Sequence, residues 1–140
     1  MIVAVDTSVI VAALAPWQER HRAARRAIDE LLAQRSLIVP WHALMEAYSV
    51  LTRVPLPIRF APKEALRLLN ETFGNVPVVG LSPGDVWSLI AEFAARGIFG
   101  GRIYDAAIAR AARDAGAQAI LTLDVRDFEL LGEGLQILSP

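Results

Sequence analysis

The chain has 140 residues, 14 basic and 15 acidic side chains, a formal net charge of -1 and no cysteine. That length predicts one domain over residues 1–140, large enough to hold a core without cross-links. The missing cysteine excludes disulfides, thiolate metal sites and cysteine nucleophiles. Hydrophobic residues make up 54% before glycine is counted, above the usual apolar share of about 45–50%. That excess excludes disorder and points to a surface covered by a partner.

The apolar excess is not a membrane signal. The longest candidate stretch, from Met1 to Trp17, is interrupted by Asp6, Thr7, Ser8 and Pro16, whereas a span needs about 20 apolar residues. No positive charge precedes it as a secretory leader would require. A soluble, cytoplasmic protein with no membrane contact is the expectation.

Charge is unevenly placed, with nine basic and six acidic side chains in residues 1–70 against five and nine in residues 71–140. Lys63 is the only lysine, and Arg20, Arg22, Arg25 and Arg26 fall close together. Guanidinium forks suit phosphate geometry, which makes these four candidate phosphate contacts. A solvated helix face is the plainer alternative.

Residues 2–5, Ile-Val-Ala-Val, form a short apolar run expected of a strand covered on both faces. Asp6-Thr7-Ser8 is a helix start, and that helix runs on towards Pro16. Residues 18–34 predict a helix with Ala24, Ile28, Leu31 and Leu32 opposite the arginines. A strand follows at 37–39. Pro40 then opens a helix to Thr52 whose core stripe is Trp41, Leu44, Met45, Tyr48 and Leu51. Residues 53–62, which include Pro55-Leu56-Pro57, read as a loop, 63–72 as a helix and 76–81 as a strand. Residues 82–95 predict a helix with Ser82 as its cap, Pro83 in its first turn and Asp85 near its start. Glycines at 97, 100 and 101 break it. Residues 103–115 are an alanine-rich helix ended by Gly116. A strand at 119–123, a short helix at 125–131 and a strand at 135–138 complete the chain. Short apolar strands alternating with helices imply right-handed crossovers and a parallel sheet covered on both faces, a three-layer α/β/α sandwich.

Ligands of such sheets bind beyond the carboxyl ends of the strands, and Asp6 and Asp124 sit at two such ends. Taken singly, either is explained as a helix N-cap. Asp105 lies in line with Ile108, Ala109 and Ala112 on one helix face, just after two glycines that allow close backbone approach. A first-turn Asp stabilised by the helix dipole is the alternative there. Glu46 shares a line with His42, Ser49, Val50 and Arg53, so pairing with His42 or Arg53 is open. Asp127 lies three residues beyond Asp124. Two like charges about 4 Å apart repel by about 4 kcal/mol at an effective dielectric near 20, a large share of a domain's stability of about 5–15 kcal/mol. Carboxylates gathered at one end of the sheet therefore require protonation or a cation. An all-oxygen donor set suits Mg²⁺ or Mn²⁺ rather than zinc.

In order along the chain, Val-Asp-Thr-Ser at 5–8, Glu46 within Leu-Met-Glu-Ala-Tyr-Ser-Val-Leu-Thr-Arg, Ile-Tyr-Asp-Ala-Ala-Ile-Ala at 103–109 and Leu-Thr-Leu-Asp-Val-Arg-Asp-Phe at 121–128 resemble the PIN-domain nucleases. The resemblance is to the VapC toxins of toxin–antitoxin pairs, and it spans essentially the whole chain. It implies a PIN-like fold and a metal-dependent endoribonuclease that cuts structured RNA, tRNA or ribosomal RNA, leaving a 5′-phosphate and a 3′-hydroxyl. It maps Asp6, Glu46 and Asp105 onto the first three acidic positions. The fourth is Asp124 or Asp127, with Asp124 preferred for its strand-end location. Thr7, Ser8 and Thr122 take the place of polar support that orients carboxylates. A homodimer held inactive by a VapB-type antitoxin is also implied.

The rivals fare worse. A phosphoacceptor receiver domain would want a lysine near the last strands, and a phosphatase opening with Asp-x-Asp would need an acid where Ser8 stands. No phosphate-binding loop or dinucleotide fingerprint is present, and His21 and His42 lack metal-ligand spacing. The remaining alternative is a catalytically inactive PIN-like module that binds RNA or protein.

Overall fold

The computed structural model describes residues 1–55 and 57–140; Leu56, and with it part of the Pro55-Leu56-Pro57 segment, lies outside the described residues. The centre is a strand of three fully buried residues, β1 (Val3–Val5). It pairs in parallel with β2 (Leu37–Pro40) on one side and β4 (Ala119–Leu121) on the other, and β3 (Val78–Val79) and β5 (Gln136–Leu138) add the edges. The order is β3-β2-β1-β4-β5. Strands buried on both faces carry no polar alternation, which is why they read as plain apolar runs.

Among the described residues seven α-helices cover the sheet: α1 (Thr7–Leu14), α2 (His21–Ala33), α3 (Trp41–Arg53), α4 (Pro62–Phe73), α5 (Val86–Ala95), α6 (Arg102–Asp114) and α7 (Val125–Leu131). Chain order moves outward from β1 to β3 and then returns through β4 to β5. Right-handed crossovers therefore put α1 to α4 on one face and α5 to α7 on the other. The contacts agree, since α1 packs on α2 and α3, α3 on α4, and α6 on α7. This is the expected three-layer α/β/α sandwich with a short parallel sheet.

Several expectations need correction. The predicted core stripe of α3 holds only in part: Leu51 is buried and Leu44 packs against the core, but Trp41, Met45 and Tyr48 are exposed, and the other buried positions are Ala43 and Ala47. Close packing of α3 on α1 favours small inward residues, and those three large ones are turned outward. Residues 82–95 are not one helix. A 3₁₀ turn at Pro83–Asp85 precedes α5, and the Ser82 side chain makes no capping bond. The strand predicted at 76–81 is reduced to two residues of half-exposed edge.

Arg110 is buried. Its guanidinium donates to Glu133 at 3.1 Å and to Glu92, and it lies 5.5 Å over the Phe93 ring. Glu133, also buried, accepts from Arg96 and Arg113 as well, each at 2.9 Å. The network ties α5, α6 and the segment after α7 together, and so anchors the helix that carries Asp105.

Candidate active site

The strand order reverses direction between β1 and β4, and a crevice opens at the carboxyl ends of strands that diverge in this way. Val5 and Leu121 are register partners there. The residues that follow them, Asp6 and Thr122, are consequently neighbours, and the Asp6 N–H donates to the Leu121 carbonyl at 3.0 Å.

Asp6 is the N-cap of α1 and is almost completely buried. Its Oδ2 accepts from Ser8 Oγ at 2.8 Å, from Thr122 Oγ1 at 2.9 Å and, more weakly, from Ser8 N at 3.4 Å. The two hydroxyls are oriented from behind, because Ser8 Oγ accepts from Leu123 N at 3.0 Å and Thr122 Oγ1 from Asp124 N at 2.9 Å. With each hydroxyl accepting from an amide, its proton points at Asp6. All these bonds fall on Oδ2, and Oδ1 is left without one. Ser8 and Thr122 thus contact Asp6. Thr7 does not: its Oγ1 is buried without a hydrogen-bond partner.

The remaining acids arrive from three other helices that start at the same end of the sheet. Asp105 lies in the first turn of α6 and Asp127 in that of α7. Asp124 holds the N-cap position of α7, yet its side chain makes no capping bond, so the capping explanation does not account for it. Glu46, one turn into α3, has Oε1 2.6 Å from Nε2 of His42, without the alignment of a hydrogen bond. The pairing left open in the sequence is therefore with His42. Arg53 bonds Ser49 Oγ instead.

The electrostatics show what these positions share. Burial, followed by the charges of Asp6, Glu46, Asp124 and Asp127, pushes the Asp105 carboxyl up to about 7. Burial, then Asp6 and Asp127, raises Asp124 as well. One carboxyl thus feels four others from distant parts of the chain. In donor chemistry the set fits a hard divalent cation, with oxygen throughout, a free Asp6 Oδ1 and an unpartnered buried hydroxyl on Thr7. Among the described residues no three acids or histidines stand close enough to hold one ion as placed.

The four arginines differ in their freedom. Arg25 is tied to Asp29 at 3.1 Å and to Thr72 at 3.2 Å, and Arg20 donates to the Pro140 carbonyl. Arg22 and Arg26 are exposed along α2, and with Arg25 they line a shallow surface that also carries Asp29 and Glu30. His21 is structural, its Nδ1 lying 2.7 Å from the Ala12 carbonyl. Sequence reasoning missed the part played by Tyr104. Its ring stacks on His42 at 5.0 Å and 14°, and His42 meets Trp41 edge-on at 5.7 Å. The signal was present in Tyr104 directly preceding Asp105.

A doubly covered parallel sheet with acids at its switch point defines an α/β domain with an acidic candidate site. The model of the PIN domain matches residues 3–133, and the chain belongs to that family. Ribonuclease VapC40 of Mycobacterium tuberculosis is 39% identical over 129 residues, covering 91% of this chain and 90% of that protein. Ribonuclease VapC27 of the same organism is 41% identical over 123 residues, covering 88% and 85%. In fold, the chain is similar to a chain in the crystal structure of VapBC2 from Rickettsia felis bound to a promoter DNA fragment. That match has a TM-score of 0.72 at 15% identity and covers 100% of this chain and 99% of the other.

Proposed function

We propose that this protein is a metal-dependent endoribonuclease, the toxin of a toxin–antitoxin pair, that hydrolyses phosphodiester bonds of tRNA or ribosomal RNA. The observation that carries the reading is the raised Asp105 carboxyl, which four other acids surround electrostatically. Its VapC relatives, which bear the name ribonuclease, support the reaction class.

Asp6, Asp105 and Asp124, with Asp127 as the alternative or additional fourth acid, would hold Mg²⁺ or Mn²⁺, and Glu46 completes the catalytic set. When bound, such an ion lowers the pKa of an attacking water and stabilises the leaving oxygen. The chain does the rest. Ser8 and Thr122 hold Asp6 in one orientation and leave Oδ1 for coordination. Asp105, raised to about 7 without metal, gives up its proton as the ion binds, so occupancy of the site depends on pH. Arg22 and Arg26 are free to meet the RNA backbone, with Arg20 and Arg25 already engaged within the protein.

The same reading places a VapB-like antitoxin and a second copy of the chain on the apolar surface. Trp41, Met45 and Trp87 stand out from α3 and α5, and Trp87 is 82% exposed. Monomeric soluble proteins seldom leave such patches uncovered. A cytoplasmic location is part of the proposal; in the structure itself no helix among the described residues is long and apolar enough to cross a membrane.

The test is purified, antitoxin-free protein incubated with total RNA and Mg²⁺ or Mn²⁺, with and without chelator, beside Asp6→Asn. Cleavage abolished by chelator and by the substitution is expected. The second reading, an inactive binding module, is favoured by the failure of any three donors to converge. RNA binding without cleavage at any metal concentration would establish it.

A further inference from the structure

Between α3 and the start of α6 lies a cleft of about 370 Å³ bounded by His42, Glu46, Ser49, Val50, Arg53 and Tyr104. Glu46 and the Tyr104–Asp105 peptide make it continuous with the acidic site. Its walls are unlike those of the neighbouring groove at β3 and α5, which is apolar almost throughout. One wall of the cleft is an aromatic column, His42 stacked on Tyr104 within 14° of parallel. The column is braced behind by Trp41, whose indole lies so close to Gly80 that any Cβ there would overlap it. Tyr104 is half exposed. Further along the same face of α3 the lining is polar, with Ser49 Oγ accepting from the Arg53 guanidinium at 3.3 Å and Arg53 itself exposed.

An aromatic face beside a cation and a hydrogen-bonding group has the chemistry to receive a nucleotide: a π-surface for the base, a guanidinium for its phosphate, and Ser49 for a base edge. We propose that this cleft receives one unpaired nucleobase of the RNA, stacked on Tyr104 and next to the scissile phosphate. The assignment rests on the RNA-hydrolysis reading and deepens it. A base inside a duplex cannot present its face to Tyr104, so the cleft selects looped or single-stranded sites.

The test is binding of a fluorescein-labelled ten-nucleotide single-stranded RNA, in chelator to prevent cleavage. It is paired with a series carrying one abasic position walked along the strand, using wild type, Tyr104→Phe, Tyr104→Leu and Arg53→Gln, each checked for folding by circular dichroism. In the wild type one abasic position should weaken binding about 5- to 150-fold, the range expected of one base on one aromatic ring. Tyr104→Phe should keep that difference and Tyr104→Leu should erase it. Arg53→Gln should weaken intact and abasic strands alike and lower the salt slope by about one. Equal losses on intact and abasic RNA in Tyr104→Leu, or none, would overturn the inference. So would a change in sedimentation of Tyr104→Leu with RNA affinity intact, which would mean that a second copy covers this wall. If wild type cuts RNA with metal but shows no abasic penalty, the cleft assignment alone fails. If it neither binds nor cuts RNA, the parent reading fails with it.

Discussion

The Thr122 hydroxyl donates to Oδ2 of Asp6 at 2.9 Å across 116 residues of sequence, and it accepts from the Asp124 amide at the same distance. One side chain thus couples the acid after β1 to the loop that carries the acid after β4. Thr122→Val keeps the shape and removes the hydroxyl, leaving the Asp124 amide without its acceptor and Asp6 one donor short. A hydrogen bond to a charged group contributes about 1.5–3 kcal/mol, so urea unfolding should show a loss of that order. RNA cleavage should fall about 10- to 100-fold, as when the support of a metal ligand is removed. Thr122→Ser should restore both.

Asp105 sets a pH dependence whose sign follows from its position. Its folded-state carboxyl titrates at about 7, above the ordinary aspartate value of 3.8, so between these limits the folded protein holds a proton the unfolded chain has lost. The stabilisation is complete below about 3.8 and disappears as pH rises through 7. Metal-free protein should therefore melt at lower temperature at pH 8 than at pH 5. Asp105→Asn should flatten this slope and raise stability at pH 8 by on the order of 1 kcal/mol, a figure reduced for solvent screening at a half-buried group. Thermal melts in chelator at the two pH values give the comparison. Added Mg²⁺ should raise the melting temperature more at pH 8 than at pH 6, because binding releases the proton.

The layout of sheet and acids was legible because its signals are local. Residues 2–5 and 119–121 are apolar runs with polar residues directly after them, and strand-end acids in a parallel sheet meet at the switch point. The face of α3 was legible only in part. Periodicity finds the large apolar residues, of which Leu51 is buried but Trp41, Met45 and Tyr48 turn outward, and it misses the inward Ala43 and Ala47 that close helix packing prefers. Burial of Arg110 was hidden for a different reason. An arginine in an alanine-rich helix reads as solvated, and Glu133, Arg96 and Glu92 that surround it come from separate elements. Cation coordination stands on another footing, since spacing names the acids but side-chain rotamers decide whether three oxygens meet.

Arg22 and Arg26 are the arginines of α2 with guanidiniums free for phosphate, whereas Arg25 is held by Asp29 and Thr72. Glutamate at both Arg22 and Arg26 should weaken binding of total tRNA in chelator and reduce the salt slope by about two, one per phosphate contact. Arg25→Glu alone should cost less affinity, with its loss appearing partly as reduced stability. Filter binding across a salt series separates the two effects, and an unchanged slope in the double variant would remove α2 from the RNA interface.

The buried ion network offers the largest predicted effect on stability. Burial pushes the Glu133 carboxyl up, but hydrogen bonds from Arg110 and Arg96 outweigh it and hold the carboxyl below its usual value. Its contribution is therefore present above the ordinary glutamate range and is lost as pH falls through the lowered value. Glu133→Ala would strand Arg110 in the interior, and removing one partner of a buried pair costs about 3–5 kcal/mol. The double variant Glu133→Leu with Arg110→Met should recover much of that loss, since an apolar replacement leaves no unpaired charge. Both can be read by urea unfolding at pH 7, with a second series at pH 4 in which the single variant's deficit shrinks. Because Arg110 lies on the helix that carries Asp105, the rescued double variant also tests how far the site depends on the network. Full stability with normal cleavage would show that packing alone holds α6 in place, and full stability with impaired cleavage would show that the ion pairs set its position.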